Sequence, residues 1–570
     1  MLSRLPLSDS ARMATEPASS LQRPASGSLG WAAMAMSLLV ALLWVVPWLL
    51  RQDLFYDDAA HHVFWLYQYA SPGLFPDDIS IEYFRTNAPW GYRAIYFALA
   101  PLFDAQMLAE FLAIPLVLLS CWFLWRIARA AGAGSDESGM HGLLLILGFA
   151  VFLLVSQARD LVPPIAFQRT FSVPLLLFTC WALAERRYGW VGVSWLAAAL
   201  IYPVVLPLQG IAAVVVFLRE LLATRRLPAH WVLNLVLGVA ALGIAAVGVP
   251  VPPEVGPAYS YTEAMTLPEF GPQGRLRMYE EGFIGSWFRG HRAGLGWSKE
   301  SLLLILACAG LAIGLRRQRL IPTPVWVMAG AGLLIFLAMR AFPDQLMFGL
   351  YLPNRHPKWS LAIFGVFAFA AAAIALLGRA FSETVPATAA RLRWVGALGI
   401  VAVLVVLGPQ AREVWARPVN TDLERSYEFL RTMPLDTLVA SHPDLGDFVP
   451  LRTRRSVLTS TETSMAWMKS YYAAIKPRVS ASLEAAYATR IEDVDAALSP
   501  FGVDVMLVGP EIWAARTPYL EPFGALSTRL VERGQVEGFV LRSPPADRIL
   551  FRSGAYYVIR VRNCAATGCG

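Results

Sequence analysis

About eleven stretches of largely apolar residues, most of them roughly 15–22 residues long, recur along this 570-residue chain. They are Trp31–Leu50, Met107–Ala128, Gly142–Ser156, Thr170–Ala184, Val191–Tyr202, Val204–Leu218, Trp231–Val249, Ser301–Leu315, Val325–Met339, Trp359–Leu377 and Trp394–Leu407. Within lipid a backbone must satisfy its own hydrogen bonds, so such stretches fold as helices packed side by side. Only 16% of residues are charged, against about a quarter in a soluble domain. The expected fold class is a polytopic α-helical membrane protein.

Val191–Tyr202 and Val204–Leu218 are divided only by Tyr202-Pro203. They form either a tight hairpin or one broken helix, and merging them would invert every later loop. The basic residues favour two spans. With the N-terminus inside, each short inner loop holds an Arg cluster: Arg126 and Arg129; Arg186 and Arg187; Arg219, Arg225 and Arg226; Arg316, Arg317 and Arg319; Arg379, Arg391 and Arg393. That is the excess of cations expected on the cytoplasmic side. Much of the formal net charge of +7 lies in these loops, so the basic balance needs no nucleic acid to explain it.

Three domains are expected. Residues 1–30, rich in Ser, Ala, Pro and Arg, form a disordered cytoplasmic N-terminus rather than a cleaved signal peptide. Residues 31–409 form the membrane domain, with a first outer loop at 51–106. Within that loop YRAIYFALAPL is too short to span and should lie along the membrane surface. Residues 410–570 form an extracytoplasmic α/β domain. Helices are expected there over Thr421–Arg431 and Val479–Leu498, and strands over Thr437–Ser441, Val503–Val508 and Ala555–Val561. Cys564 and Cys569 can be bridged or free.

The first outer loop, DLFYDDAAHHVFWLYQYASPGLFPDDISIEYFRTN, gathers Asp57, Asp58, Asp77, Asp78, His61, His62 and Glu82 among aromatic residues. Carboxylates at a membrane surface are costly unless they pair or work. A solvated loop whose acids cap short helices is the bland alternative. The other outer loops bring cations: Arg159 and Arg169; Arg275, Arg277, Arg289, His291, Arg292 and Lys299; and Arg355, His356 and Lys358 in LYLPNRHPKWS. A sugar carried on a lipid phosphate needs guanidinium groups for the phosphate. It also needs a carboxylate to accept the proton of the attacking hydroxyl.

The motif FYDDAAHH resembles the acidic pair that follows the first span in GT-C-type membrane glycosyltransferases, in the protein mannosyltransferase and aminoarabinose transferase branches. LFPDD, FQRTFSVPLL and LPNRHPKWSL are similar to recurring pieces of uncharacterised bacterial members. Asp58 stands where that family usually has Glu. The resemblance implies Asp57 as general base, with Asp58 as runner-up. It implies Asp77 or Asp78 as a second acid that positions the acceptor or holds a divalent cation, since some members bind a metal and others do not. His61 is an ion ligand, a proton shuttle or merely a polar contact. Arg169, at a helix start, and Arg355, His356 and Lys358 are the expected phosphate contacts. His442, Asp444 and Asp447, at a strand end in the tail, are expected to be structural.

The expected activity is transfer of a sugar from a polyprenyl-phosphate donor to an extracytoplasmic glycan, lipid or protein acceptor, in a bacterial inner membrane. The membrane lipid is a further partner, and no nucleic acid is expected. The alternatives are a transporter or flippase for a lipid-linked substrate, and a non-catalytic assembly protein. Nearly charge-free span centres argue against transport. No dinucleotide, Walker, zinc or nucleophile-elbow motif occurs.

Overall fold

A computed structural model describes residues 27–561, except 52, 132–134, 156–160, 229, 279–281, 289–291, 293–294, 296–298, 316–317, 381–388 and 515–517. Cys564 and Cys569 therefore lie outside the described residues. Six described helices are long and apolar enough to cross a membrane: Ala105–Ala131, Glu137–Val155, Pro203–Thr224, Thr323–Ala341, Arg355–Leu377 and Trp394–Ala416. Leu29–Trp44, Gly189–Ile201, Trp231–Val247 and Leu302–Gly314 are shorter apolar helices. This is a multi-pass helical bundle, although length and composition do not single out eleven spans.

Several elements differ in detail from the sequence expectations. The helix is broken at Tyr202, whose backbone (φ −152°, ψ 79°) leaves the helical region. The expected Thr170–Ala184 span begins with a 3₁₀ turn, Gln168–Phe171, before the helix Ser172–Ala184. The last long helix continues through Pro409 to Ala416. In the first outer loop, Trp90–Leu99 is an amphipathic helix. Its Tyr92 and Tyr96 are buried while Trp90 and Phe97 are exposed.

The tail carries a five-stranded sheet of order β2-β1-β3-β5-β4. The strands are β1 (Leu438–Ala440), β2 (Ser456–Val457), β3 (Val505–Val508), β4 (Ile549–Ser553) and β5 (Tyr556–Arg560). The β2-β1-β3 part is parallel, and β5 and β4 add antiparallel strands. All four residues of β3 are buried, as expected for a strand covered on both faces. One face packs on Val479, Leu483 and Tyr487, the other on Tyr427, Leu430 and Leu445. The expected helix Val479–Leu498 is two helices, Lys469–Ala486 and Ile491–Leu498. Tyr487 ends the first, and its buried hydroxyl meets His442 Nε2 at 3.1 Å.

The tail is docked on the bundle by backbone and side chain. Tyr259, Lys469 and Tyr471 form main-chain hydrogen bonds to Trp467, Pro257 and Val255 respectively. Gly256 (φ 75°) permits this approach, because a Cβ there would fall 2.2 Å from Ser470 Oγ. Tyr83 of the first outer loop stacks on Tyr471 at 4.2 Å.

Arg51 ties the two ends of the bundle together. Its guanidinium donates to the carbonyls of Val414 (3.0 Å), Trp415 (2.8 Å) and Arg417 (2.8 Å) and pairs with both oxygens of Asp53. Carbonyls at a helix C-terminus lack intrahelical partners, and a cation there also suits the helix dipole. Replacing Arg51 with Ala should therefore cost about 2–4 kcal/mol, read as a lower melting temperature of the detergent-solubilised chain.

Candidate functional site

Asp58 lies in the helix Asp57–Val63, directly after Tyr56 turns the chain from extended to helical. Its carboxylate forms an ion pair with Arg169 of the turn Gln168–Phe171; the side chains are 36% and 9% exposed respectively. Arg169 is held in place because its loop is pinned from several sides. Trp44 Nε1 donates to Val162 O (2.8 Å), Tyr96 hydroxyl to Ala166 O (2.8 Å), and Ala166 N to Ala109 O (2.7 Å). Phe167 N donates to Thr170 Oγ1 (3.1 Å). The guanidinium lies 5.0 Å from the centre of the Phe167 ring, whose face also stacks on His62 at 5.3 Å.

Burial alone would raise the Asp58 pKa. Arg169, with His61 and Arg355 nearby, instead holds it well below the ordinary carboxylate range. Asp58 is therefore ionised throughout the physiological range. His62 is held well below its usual value by burial and by His61, so it is neutral there.

The tail reaches into this cluster. Glu462 pairs with Arg275 at 2.5 Å, and its carboxylate lies 3.6 Å from His61 Nδ1. Its side chain is only 14% exposed. The turn that carries it is tightly held. Glu462 N donates to Asp447 Oδ1 (2.8 Å), Tyr471 hydroxyl to Thr463 O (2.7 Å), and Thr461 Oγ1 lies 2.6 Å from Tyr519 hydroxyl. Asp58, His61 and Glu462 each offer a ligand atom within 4.8 Å of the others. That spacing is compatible with a divalent cation. Both carboxylates already face guanidinium groups, so an ion would have to replace two ion pairs.

The expected site residues thus divide. The structure brings together Asp58, His61 and Arg169, with Arg355 close enough to depress the Asp58 pKa. Arg355 and Lys358 are buried at the start of the helix Arg355–Ala380. His356 donates from Nε2 to Leu350 O at 2.9 Å, within its own turn. Asp57 opens the helix beside Asp58, and its side chain lies outside the described residues. Asp77 sits exposed in a left-handed turn (φ 57°). Asp78 caps the helix Ile79–Thr86 by accepting from Ser80 N (2.9 Å), and it interacts with Ser456 and Arg478 of the tail.

Sequence reasoning missed Glu462. It stands in TSTETSM, more than 400 residues from Asp58, with no spacing that marks it. Arg275 was among the expected loop cations, and its side chain is 18% exposed and paired with Glu462. His442 accepts from Asp444 N at Nδ1 (3.3 Å), and Asp447 braces the Glu462 turn.

No protein-family profile matches the sequence, and no curated protein matches it. Solved structures of the Archaeoglobus fulgidus oligosaccharyltransferase align with it. The apo form has a TM-score of 0.43 at 12% identity, covering 86% of this chain and 70% of that chain. The form tethered with an acceptor peptide containing the NVT sequon has a TM-score of 0.45 at 10% identity, covering 89% and 72%. The complex with an inhibitory peptide and a dolichol-phosphate has a TM-score of 0.39 at 11% identity, covering 85% and 70%.

Asp447 offers a pH test of the site's electrostatics. Burial, and then the nearby Glu462, push its pKa up. A raised folded-state pKa means that the folded chain binds more protons, so stability is lost as pH rises through that value. Asp447→Asn keeps an acceptor oxygen without a charge. Between about pH 5 and about pH 9 its melting temperature should rise relative to wild type; a constant difference would refute the assignment.

Proposed function

We propose that the protein is a GT-C-type glycosyltransferase that moves a sugar from a polyprenyl-phosphate donor to a hydroxyl outside the cytoplasm. The observation that carries this reading is an ionised Asp58 held against Arg169, with Arg355 at close range, where an apolar bundle meets a polar domain. Two long-separated cationic segments converge there on one acid, which is the charge pattern that a lipid phosphate and an attacking hydroxyl together require.

The step balances as follows. The carboxylate accepts the acceptor's O–H proton while that oxygen bonds to the anomeric carbon. The bond from that carbon to the phosphate oxygen breaks, and its electron pair leaves with the polyprenyl phosphate. Attack from the face opposite the phosphate inverts the anomeric centre. Guanidinium groups stabilise the negative charge that builds on the phosphate.

Pairing with Arg169 suppresses the basicity of Asp58, and a carboxylate so depressed is a weak base. A donor phosphate drawing on Arg169 would relieve that suppression as the substrate arrives. Asp58 is the base in this reading. The family resemblance points instead to Asp57, the first acid of the pair, with Asp58 as its runner-up; the ion pair with Arg169 is the reason for reversing that order here. A bacterial inner-membrane location with the tail outside fits a donor that is presented on the outer side. A divalent cation at Asp58, His61 and Glu462 would polarise the phosphate if bound, but the reaction as written does not depend on one.

Asp58→Asn should lower the release of polyprenyl phosphate from a lipid-linked sugar by at least about 100-fold, whereas Asp57→Asn should have a much smaller effect. Arg355→Ala should mainly weaken donor binding. Full turnover by Asp58→Asn would remove Asp58 as the base, and a reversed order of effects would transfer the role to Asp57.

A further inference from the structure

The two carboxylates of the cluster do not have the same origin. Asp58 belongs to the membrane domain, beside the cation it pairs with. Glu462 comes from the tail, on a turn between elements, and enters a site whose other members all come from outer loops of the bundle. Within this cluster the carboxylates of Asp58 and Glu462 face three guanidinium groups, of Arg169, Arg275 and Arg355, together with the His61 imidazole, and the third acid, Asp447, is held in its neutral form by burial and by Glu462. That balance favours an anion over a cation.

A guanidinium buried without an anion is costly, so a site built for a phosphate needs something to cover its cations when the phosphate is absent. A carboxylate occupies a guanidinium in much the same forked geometry as a phosphate does. We propose that Glu462 is the internal stand-in for the donor's phosphate: it covers Arg275 and faces His61, and it is displaced when the lipid phosphate binds. This rests on the glycosyl-transfer reading above and adds to it a role for the tail domain.

The geometry makes the displacement a local event. The backbone of the turn is fastened by Asp447, Tyr471 and Tyr519, so the Glu462 side chain alone has to swing. Asp447 lies beneath the same turn and accepts from Glu462 N at 2.8 Å. Movement of the Glu462 carboxylate releases Arg275 while that backbone contact stays in place. The donor phosphate must outcompete Glu462, so the tail sets how tightly the donor binds.

The test uses the full chain in lipid nanodiscs and farnesyl phosphate as the probe. Glu462→Gln removes the competing charge and should bind farnesyl phosphate at least about 5-fold more tightly than wild type. Arg275→Gln should bind it at least about 10-fold more weakly. Equal or weaker binding by Glu462→Gln overturns the proposal. So does a finding that wild-type binding requires Mn²⁺ and that Glu462→Gln loses the Mn²⁺, because Glu462 would then be a metal ligand. If Glu462→Gln fails to fold, Glu462→Asp, which withdraws the charge by one methylene, is read in the same way. Tighter binding by Glu462→Gln with no sugar transfer by wild type would sink the glycosyl-transfer reading but leave the phosphate stand-in supported. No binding of farnesyl phosphate by either protein would overturn both.

Discussion

The pairing of Asp58 with Arg169 is the interaction on which the candidate site of this protein depends. A charge withdrawn from water at the edge of an apolar bundle costs several kcal/mol unless a partner meets it. Asp58 is partly covered and Arg169 almost wholly so. Neither could hold its position alone. The surrounding structure is arranged so that the two must meet. Arg169 is delivered by a loop fastened to Trp44, Tyr96 and Ala109, three separate parts of the bundle. Asp58 is delivered by a short helix that starts as the first apolar segment ends.

The same rule extends outward through the tail. Glu462 meets Arg275, Asp104 of the first outer loop meets Arg454, and Glu269 accepts from Tyr472 and pairs with Lys476. In each case one partner belongs to the bundle and the other to the C-terminal domain. These contacts, with the stacked Tyr83 and Tyr471, make the tail a wall of the candidate site. A domain so fastened can set a side chain among those of the membrane domain, as it does with Glu462.

Much of this was legible from residue types. The apolar stretches announced a helical bundle, and alternating short elements announced the mixed sheet. Asp58, Arg169 and Arg355 were picked out because charge is scarce in this chain and therefore conspicuous near an apolar span. Other acids were less legible. Asp78 has the same neighbours in sequence as a catalytic acid would have, yet it caps a helix and faces Ser456 and Arg478. Cap and catalyst use the same side chain, and only its partners separate them. The break at Tyr487 was hidden for a similar reason: its ring fills the tail core and its hydroxyl is claimed by His442, a contact between residues 45 positions apart.

By itself, the sequence determined the class of fold and the places where charge could gather. Both follow from local composition, through the cost of exposing polar backbone to lipid and of removing ionised groups from water. Which charges meet was decided by the tertiary structure alone. Glu462 and Arg275 carry no signal of their partnership in their local surroundings, since long-range pairing is set by how loops and domains dock. The identity of the acid that reaches into the site from the tail could be learned only once the whole chain was folded around it.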